Sequence, residues 1–211
     1  QRYLDEIQLQ KEVVSVYLAN SLQQGFIYHA LSQGNEDSAY CVQVIFSYDN
    51  EVNPEYLKTA WEHAVIKYPS LRLRFAWQDE LIQIIDKHQD LNWYYNDISN
   101  LSIEEQDIEI KKLVITDRQT RYELDKGKLL RVYLIKQAEN KYCCILSNHH
   151  AILDGWSNQV LLNYVHETYL NIKYNKYVPI EQIGIEKAYV DAQKYLQKYY
   201  LLVNEFWNKQ L

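Results

Sequence analysis

Apolar and polar positions along the chain alternate between two periods. Val13 to Leu18 is a short extended run, followed by Leu22, Phe26, Ile27, Ala30 and Leu31 at helical spacing. Asn20 with Gln23 three residues on has the form of a capping box, and Gln33-Gly34-Asn35 is expected to end that helix. Tyr40, Val42, Val44 and Phe46 alternate with Cys41, Gln43, Ile45 and Ser47, the period of a strand with one more polar face. Asn53-Pro54-Glu55 opens a helix whose Leu57, Ala60, Trp61, Ala64 and Val65 share one face, and Tyr68-Pro69 stops it. Leu71 to Trp77 alternates again, with Arg72, Arg74 and Ala76 on the second face, and Leu81 to Ile85 and Leu91 to Tyr95 read as further strands.

Ser102 with Glu105 forms a second capping box, opening a helix to about Thr120. The Asp125-Lys126-Gly127-Lys128 turn leads into a strand over Leu129 to Ile135, and Glu139-Asn140 turns into another over Tyr142 to Leu146. Ser157 to Leu170 has a helical stripe, Asn171 to Glu181 is a polar connector, and an amphipathic helix starts near Ile185. It runs through Ala188, Ala192, Leu196, Tyr199, Val203, Phe206 and Trp207. Helices and strands interspersed in this way predict an α/β or α+β sandwich. Residues 1–12 read as a charged lead-in or linker tail.

Composition narrows the classes. Of 211 residues, 47% are hydrophobic and 24% charged, with 20 Tyr but only 5 Gly and 3 Pro, which favours long regular elements over disorder. The net charge of -6 and the lack of a Lys/Arg run make nucleic acid an unexpected partner. No apolar stretch approaches a membrane span, and Gln1 to Gln10 holds no apolar signal core. Three Cys without framework spacing suggest reduced thiols and a cytoplasmic setting. The glycines are too scattered for a phosphate loop. Adjacent His149 and His150 point to opposite faces in extended chain, so they do not suit one metal.

The chemistry concentrates in Ser147-Asn148-His149-His150-Ala151-Ile152-Leu153-Asp154-Gly155-Trp156-Ser157, where a strand stops and a helix starts. This stretch resembles the His-His-x-x-x-Asp-Gly signature of condensation domains in nonribosomal peptide synthetases, of the chloramphenicol-acetyltransferase-like superfamily. Leu18 to Leu31 is similar to that family's opening Leu-Thr-Pro-x-Gln-x-Gly motif, with Ser21 where Pro is usual. Lys67 to Phe75 resembles Arg-His-x-x-Leu-Arg-Thr-x-Phe, with Lys67 and Tyr68 in place of Arg and His. Tyr122-Glu123-Leu124 through Leu129-Leu130-Arg131-Val132 and the closing Phe206-Trp207 also fit the family's order.

The resemblance implies a chloramphenicol-acetyltransferase-like half-domain, with residues 13–211 as the N-terminal lobe and the second lobe absent from this chain. It implies amide formation between a carrier-bound donor thioester and an acceptor amine. The partners would be peptidyl or acyl carrier domains and the C-terminal lobe. No cofactor would be bound directly, the substrates riding on phosphopantetheine arms. His150 is the expected residue facing the reaction tunnel, and Gly155 could bring a backbone N–H to the oxyanion or simply make a tight turn. His149 is expected to pack locally. Asp154 is expected to form a structural ion pair with a basic residue, weakened at Lys67 by loss of the planar guanidinium and shifted toward Arg72. Its removal would then hurt folding first. Trp156 is read as a packing anchor and Ser157 as a helix cap. The Asp-Gly-Trp-Ser ending is more like peptide-bond-forming members than epimerising ones. Two alternatives stay open: a non-catalytic docking lobe or fragment, and a superfamily acyltransferase using a soluble thioester.

Overall fold

The computed structural model describes residues 11–32, 39–78, 80–179 and 186–210. Most of the expected lead-in, the Gln33-Gly34-Asn35 stop and Ile185 lie outside the described residues. The side chains of Leu196, Val203 and Trp207 lie outside them too. In chain order the elements are β1 (Val13–Leu18), α1 (Ser21–Ser32), β2 (Cys41–Tyr48), α2 (Pro54–Lys67), β3 (Leu73–Ala76), β4 (Ile82–Asp86), β5 (Asn92–Asp97), α3 (Ile103–Gln119), β6 (Leu130–Ala138), β7 (Lys141–His149), α4 (Gly155–Lys173) and α5 (Glu186–Gln210).

Strands β1-β4-β3 make a small antiparallel sheet, and β2-β7-β6-β5 a larger one in which only β5 and β6 run parallel. A parallel pair needs a crossover, and α3 supplies it. The large sheet is buried on both faces at its centre. Val132, Leu134, Cys144 and Leu146 share a core with Trp61, Leu57 and Ala64 of α2 and Leu161 and Val165 of α4. Tyr133, Ile135, Cys143 and Ile145 face Ile110, Leu113 and Val114 of α3. Burial on both faces is why the centres of β6 and β7 are mostly apolar while β2, at the sheet's edge, alternates.

Both capping boxes form. Asn20 N–H donates to Gln23 Oε1 at 2.9 Å and Gln23 N–H to Asn20 Oδ1 at 2.8 Å, and Ser102 and Glu105 exchange the same pair of bonds. The stretch Leu71 to Trp77 is not one strand. Pro69–Arg72 is a 3-10 turn, started by a proline whose fixed φ suits a helical first position, and only Leu73–Ala76 is extended. Its second face is not solvated either. Arg72 and Arg74 are 1% and 6% exposed because Asp86, at the end of β4 and itself 0% exposed, sits against them. Arg74 Nε donates to both Asp86 carboxylate oxygens at 2.9 and 3.1 Å. Arg72 Nε donates to the Asp86 carbonyl, and its Nη1 to the Val65 and Ile66 carbonyls at the end of α2. Among the described residues, no helix is long and apolar enough to cross a membrane.

Candidate functional site

Strand β7 ends at His149, and His150 is the first residue of the turn beyond it. Backbone bonds fix that departure. His149 N–H donates to the Leu129 carbonyl at 3.0 Å, and His150 N–H donates to the carbonyl of Tyr40 at 2.8 Å. Tyr40 has φ 66, the left-handed region, at the entry to β2.

The two imidazoles diverge as extended backbone requires. His149 turns inward and is 5% exposed. Its Nδ1 accepts the Ala151 N–H at 3.2 Å, and its ring meets Tyr122 edge-on at 6.2 Å. An Nδ1 that accepts carries no proton. His150 turns the other way. Its ring lies nearly flat on Phe26, with centroids 5.3 Å apart and planes at 26°, and Phe26 in turn rests on Tyr40 at 4.4 Å. His150 Nδ1 has no hydrogen-bond partner among the described residues. Among the described residues no carboxylate is hydrogen-bonded to this ring as a triad would require.

His150 lines a cleft of about 410 Å³ between α1, the turn, β4 and α5. Its floor is a pair of buried amides. Gln23 Nε2 donates to Gln83 Oε1 at 3.1 Å and to the Ala151 carbonyl at 3.3 Å, and Gln83 Nε2 donates to the Leu18 carbonyl at 3.0 Å. The capping glutamine of α1 therefore also ties the small sheet to the turn that carries His150. Tyr189 of α5 closes one side, stacked on Tyr17 at 4.9 Å, and burial pushes its phenol up to about 12. The capping box was legible in the sequence, but nothing local placed Gln83 or Tyr189 beside His150.

The remaining motif residues correct the expected picture. Asp154 makes no ion pair with Lys67 or Arg72. It is exposed and caps α4, accepting the Ser157 N–H on Oδ1 at 2.7 Å. Hydrogen bonds from Ser157 hold its carboxyl below the usual range, with a smaller contribution from the charge of His150. Arg72 turns its Nε and Nη1 to Asp86 and the end of α2, and Lys67 Nζ sits 4.1 Å from the centre of the Tyr164 ring. The cap is thus Asp154, not Ser157, which is the third residue of the helix. Trp156 is no packing anchor, being 86% exposed. Gly155 opens α4 with ordinary backbone, and a Cβ there would meet nothing within 4 Å, so the tight-turn reason for glycine does not hold. Among the described residues no group of three His, Cys, Asp or Glu could hold a metal ion.

Beneath β7, on the α3 side, lies a second polar cluster. Asp117, 1% exposed, accepts from Gln43, from Arg131 Nε at 2.6 Å and from Tyr133 at 2.8 Å, while Tyr122 and Ser147 hydroxyls pair at 2.9 Å. These bonds outweigh desolvation and hold the Asp117 carboxyl below its usual range.

Two sheets flanked by helices make a fold also seen in solved structures. The starter condensation domain of rhizomide synthetase superposes with a TM-score of 0.79 at 18% identity, over 93% of this chain and 50% of that one. A four-domain nonribosomal peptide synthetase bound to AMP and glycine matches 75% of this chain and 12% of its own, at 25% identity and a TM-score of 0.63. In sequence, residues 13–211 match the condensation-domain family, and the chain belongs to it, the family of nonribosomal peptide synthetases. N-(5-amino-5-carboxypentanoyl)-L-cysteinyl-D-valine synthase of Amycolatopsis lactamdurans is 41% identical over 209 residues, 98% of this chain. The synthase of that name from Penicillium rubens is 39% identical over 196 residues, 92% of this chain. The chain spans only 6% and 5% of the length of these two relatives.

Proposed function

We propose that residues 13–211 are the N-terminal lobe of a peptide-bond-forming condensation domain and that His150 serves its reaction. Condensation domains of this family form peptide bonds. The acceptor amine nitrogen attacks the donor thioester carbonyl, the C–S bond breaks, the amide forms, and the departing sulfur takes a proton. The amine must shed one proton on the way. His150 is placed to receive it or to hold the amine by a hydrogen bond. The observation that carries this reading is the contrast at the end of β7. His150 lines an open cleft, its Nδ1 buried and without a hydrogen-bond partner among the described residues, while the neighbouring ring is sealed and hydrogen-bonded. General-base help is worth roughly 100- to 10,000-fold, and holding both reactants in line can supply roughly 7–11 kcal/mol. Orientation of the amine is therefore at least as large a part of the role as proton transfer.

Gly155, an exposed residue, opens α4, and its backbone N–H would lie where positive helix-end charge suits a developing oxyanion. The substrates would arrive on the phosphopantetheine arms of carrier domains. The C-terminal lobe would cover the cleft, since Leu22, Tyr28, Trp156 and Val160 of α1 and α4 stand 56% to 86% exposed. On this reading the isolated chain does not turn over. The unpaired thiols Cys41, Cys143 and Cys144 suit a cytoplasmic setting.

The test is product formation from two loaded carriers by the full-length parent. His150→Ala should abolish the product, read by intact-protein mass, while near-UV circular dichroism stays unchanged. Full turnover by a folded His150→Ala protein would sink the proposal. Carrier binding by the isolated chain, together with parent turnover that is indifferent to His150→Ala, would favour the docking-lobe reading.

A further inference from the structure

We propose that a second cleft, distinct from that of His150, binds an oxyanion, a phosphate or carboxylate group, through the guanidinium of Arg74. This cleft measures about 680 Å³, opens where β3, the edge strand β5 and the loop over residues 120–128 meet, and shares no lining residue with the first.

Arg74 is 6% exposed, and its Nε is committed to Asp86. Its Nη2 is buried and has no hydrogen-bond partner among the described residues. A buried donor without an acceptor is costly and rare in folded proteins. Arg74 itself is among the residues that line a cleft large enough for a ligand. The arginine stem is held from behind by the left-handed turn at Gly127, φ +78, where an added Cβ would come within 3.5 Å of Arg74 Cβ and 2.8 Å of Gln89 Oε1. The guanidinium is thus fixed in place before anything binds.

The surroundings favour negative charge. Lys11, Arg121, Lys126, Lys128 and Arg131 line the cleft with Arg74, against the carboxylates of Glu123 and Asp125. Asp86, Asp117 and Asp90 pair with Arg74, Arg131 and Lys128, and Lys11 also reaches Asp86. Counting all five carboxylates, the six cations still outnumber them, in a chain of net charge -6. Each ammonium keeps donors beyond its ion pair. Guanidinium and oxyanion form short, charge-assisted bonds, which is why an oxyanion suits Arg74 better than a neutral carbonyl. Tyr94, stacked on Tyr133 at 4.7 Å, adds a flat apolar wall for whatever carries the charged group.

The test titrates the 211-residue chain with inorganic phosphate and, separately, with sodium acetate, each against sodium chloride at matched ionic strength. Amide NMR shifts and calorimetry are the readouts. Saturable shifts at Gly127, Lys128 and Tyr94 are expected with phosphate, acetate or both, and the stronger probe names the anion class. Arg74→Lys keeps a charge beside Asp86 but lacks the second nitrogen, and should weaken binding roughly tenfold. If that variant does not fold, the exposed pair Lys126→Ala/Lys128→Ala decides, with a several-fold loss expected. No saturable response beyond chloride, shifts that map elsewhere, or affinity unchanged in the folded variants would overturn the site.

Discussion

The two sides of the β7 end are built by opposite rules. On the α3 side, Asp117 collects Gln43, Arg131 and Tyr133 in a sealed cluster, and across the molecule Asp86 does the same for Arg74. On the cleft side, His150 has one backbone bond and a stacking partner, and Asp154 is an exposed helix cap. The motif aspartate that was expected to be a buried strut is peripheral, and the struts are carboxylates outside the motif. Stability and chemistry therefore rest on different residues, and substitutions should separate them.

The largest effect is expected from Asp117→Ala. It strands Arg131 without its carboxylate and should cost about 3–5 kcal/mol by urea unfolding. Phe26→Ala removes the platform under His150 and should cost about 3 kcal/mol, while leaving the sealed cluster intact. Asp154→Ala removes only a cap and should cost about 1 kcal/mol by the same measurement. A loss as large as that of Asp117→Ala would erase the contrast between the two sides.

A pH prediction follows from α4. His166 Nε2 lies 2.8 Å from the Tyr48 hydroxyl, and burial lowers its pKa below the usual 6.5. The unfolded chain then binds more protons than the folded one between the two values. Stability from neutral His166 is full above about pH 6.5 and is lost as pH falls through the lower, folded-state value. Melting temperature should drop on going from pH 7.5 to pH 5, and His166→Gln should flatten part of that drop. The smallest effect is expected at Trp156. Its replacement by alanine should change the stability of this chain by less than about 0.5 kcal/mol.

Much of the fold was legible because local rules and packing agree. The doubly buried β6 and β7 announce themselves as apolar runs, and Asn20/Gln23 and Ser102/Glu105 mark two helix starts. What escaped is non-local. Arg72 and Arg74 alternate with apolar residues just as a solvated face would, and only the arrival of Asp86 from β4 makes that face an interior. The ion pair expected of Asp154 does not form because an aspartate three residues before Ser157 satisfies a capping rule as well as an ion-pair rule, and here the cap wins. Large apolar residues usually pack, which is the basis for expecting an anchor at Trp156, whereas here the helix leaves it exposed. The divergence of the two imidazoles followed from strand geometry alone, but the Phe26 platform and the Gln23–Gln83 floor come from elements remote in sequence.

The imidazole at 150 faces a cleft while its neighbour is closed off. Histidine-selective ethoxyformylation of the folded chain, located by fragment-ion mass spectrometry, reads this directly. Modification at His150 with His149 protected until urea is added is the predicted result. Equal labelling of both rings, or a His150 as inert as His149, would contradict it.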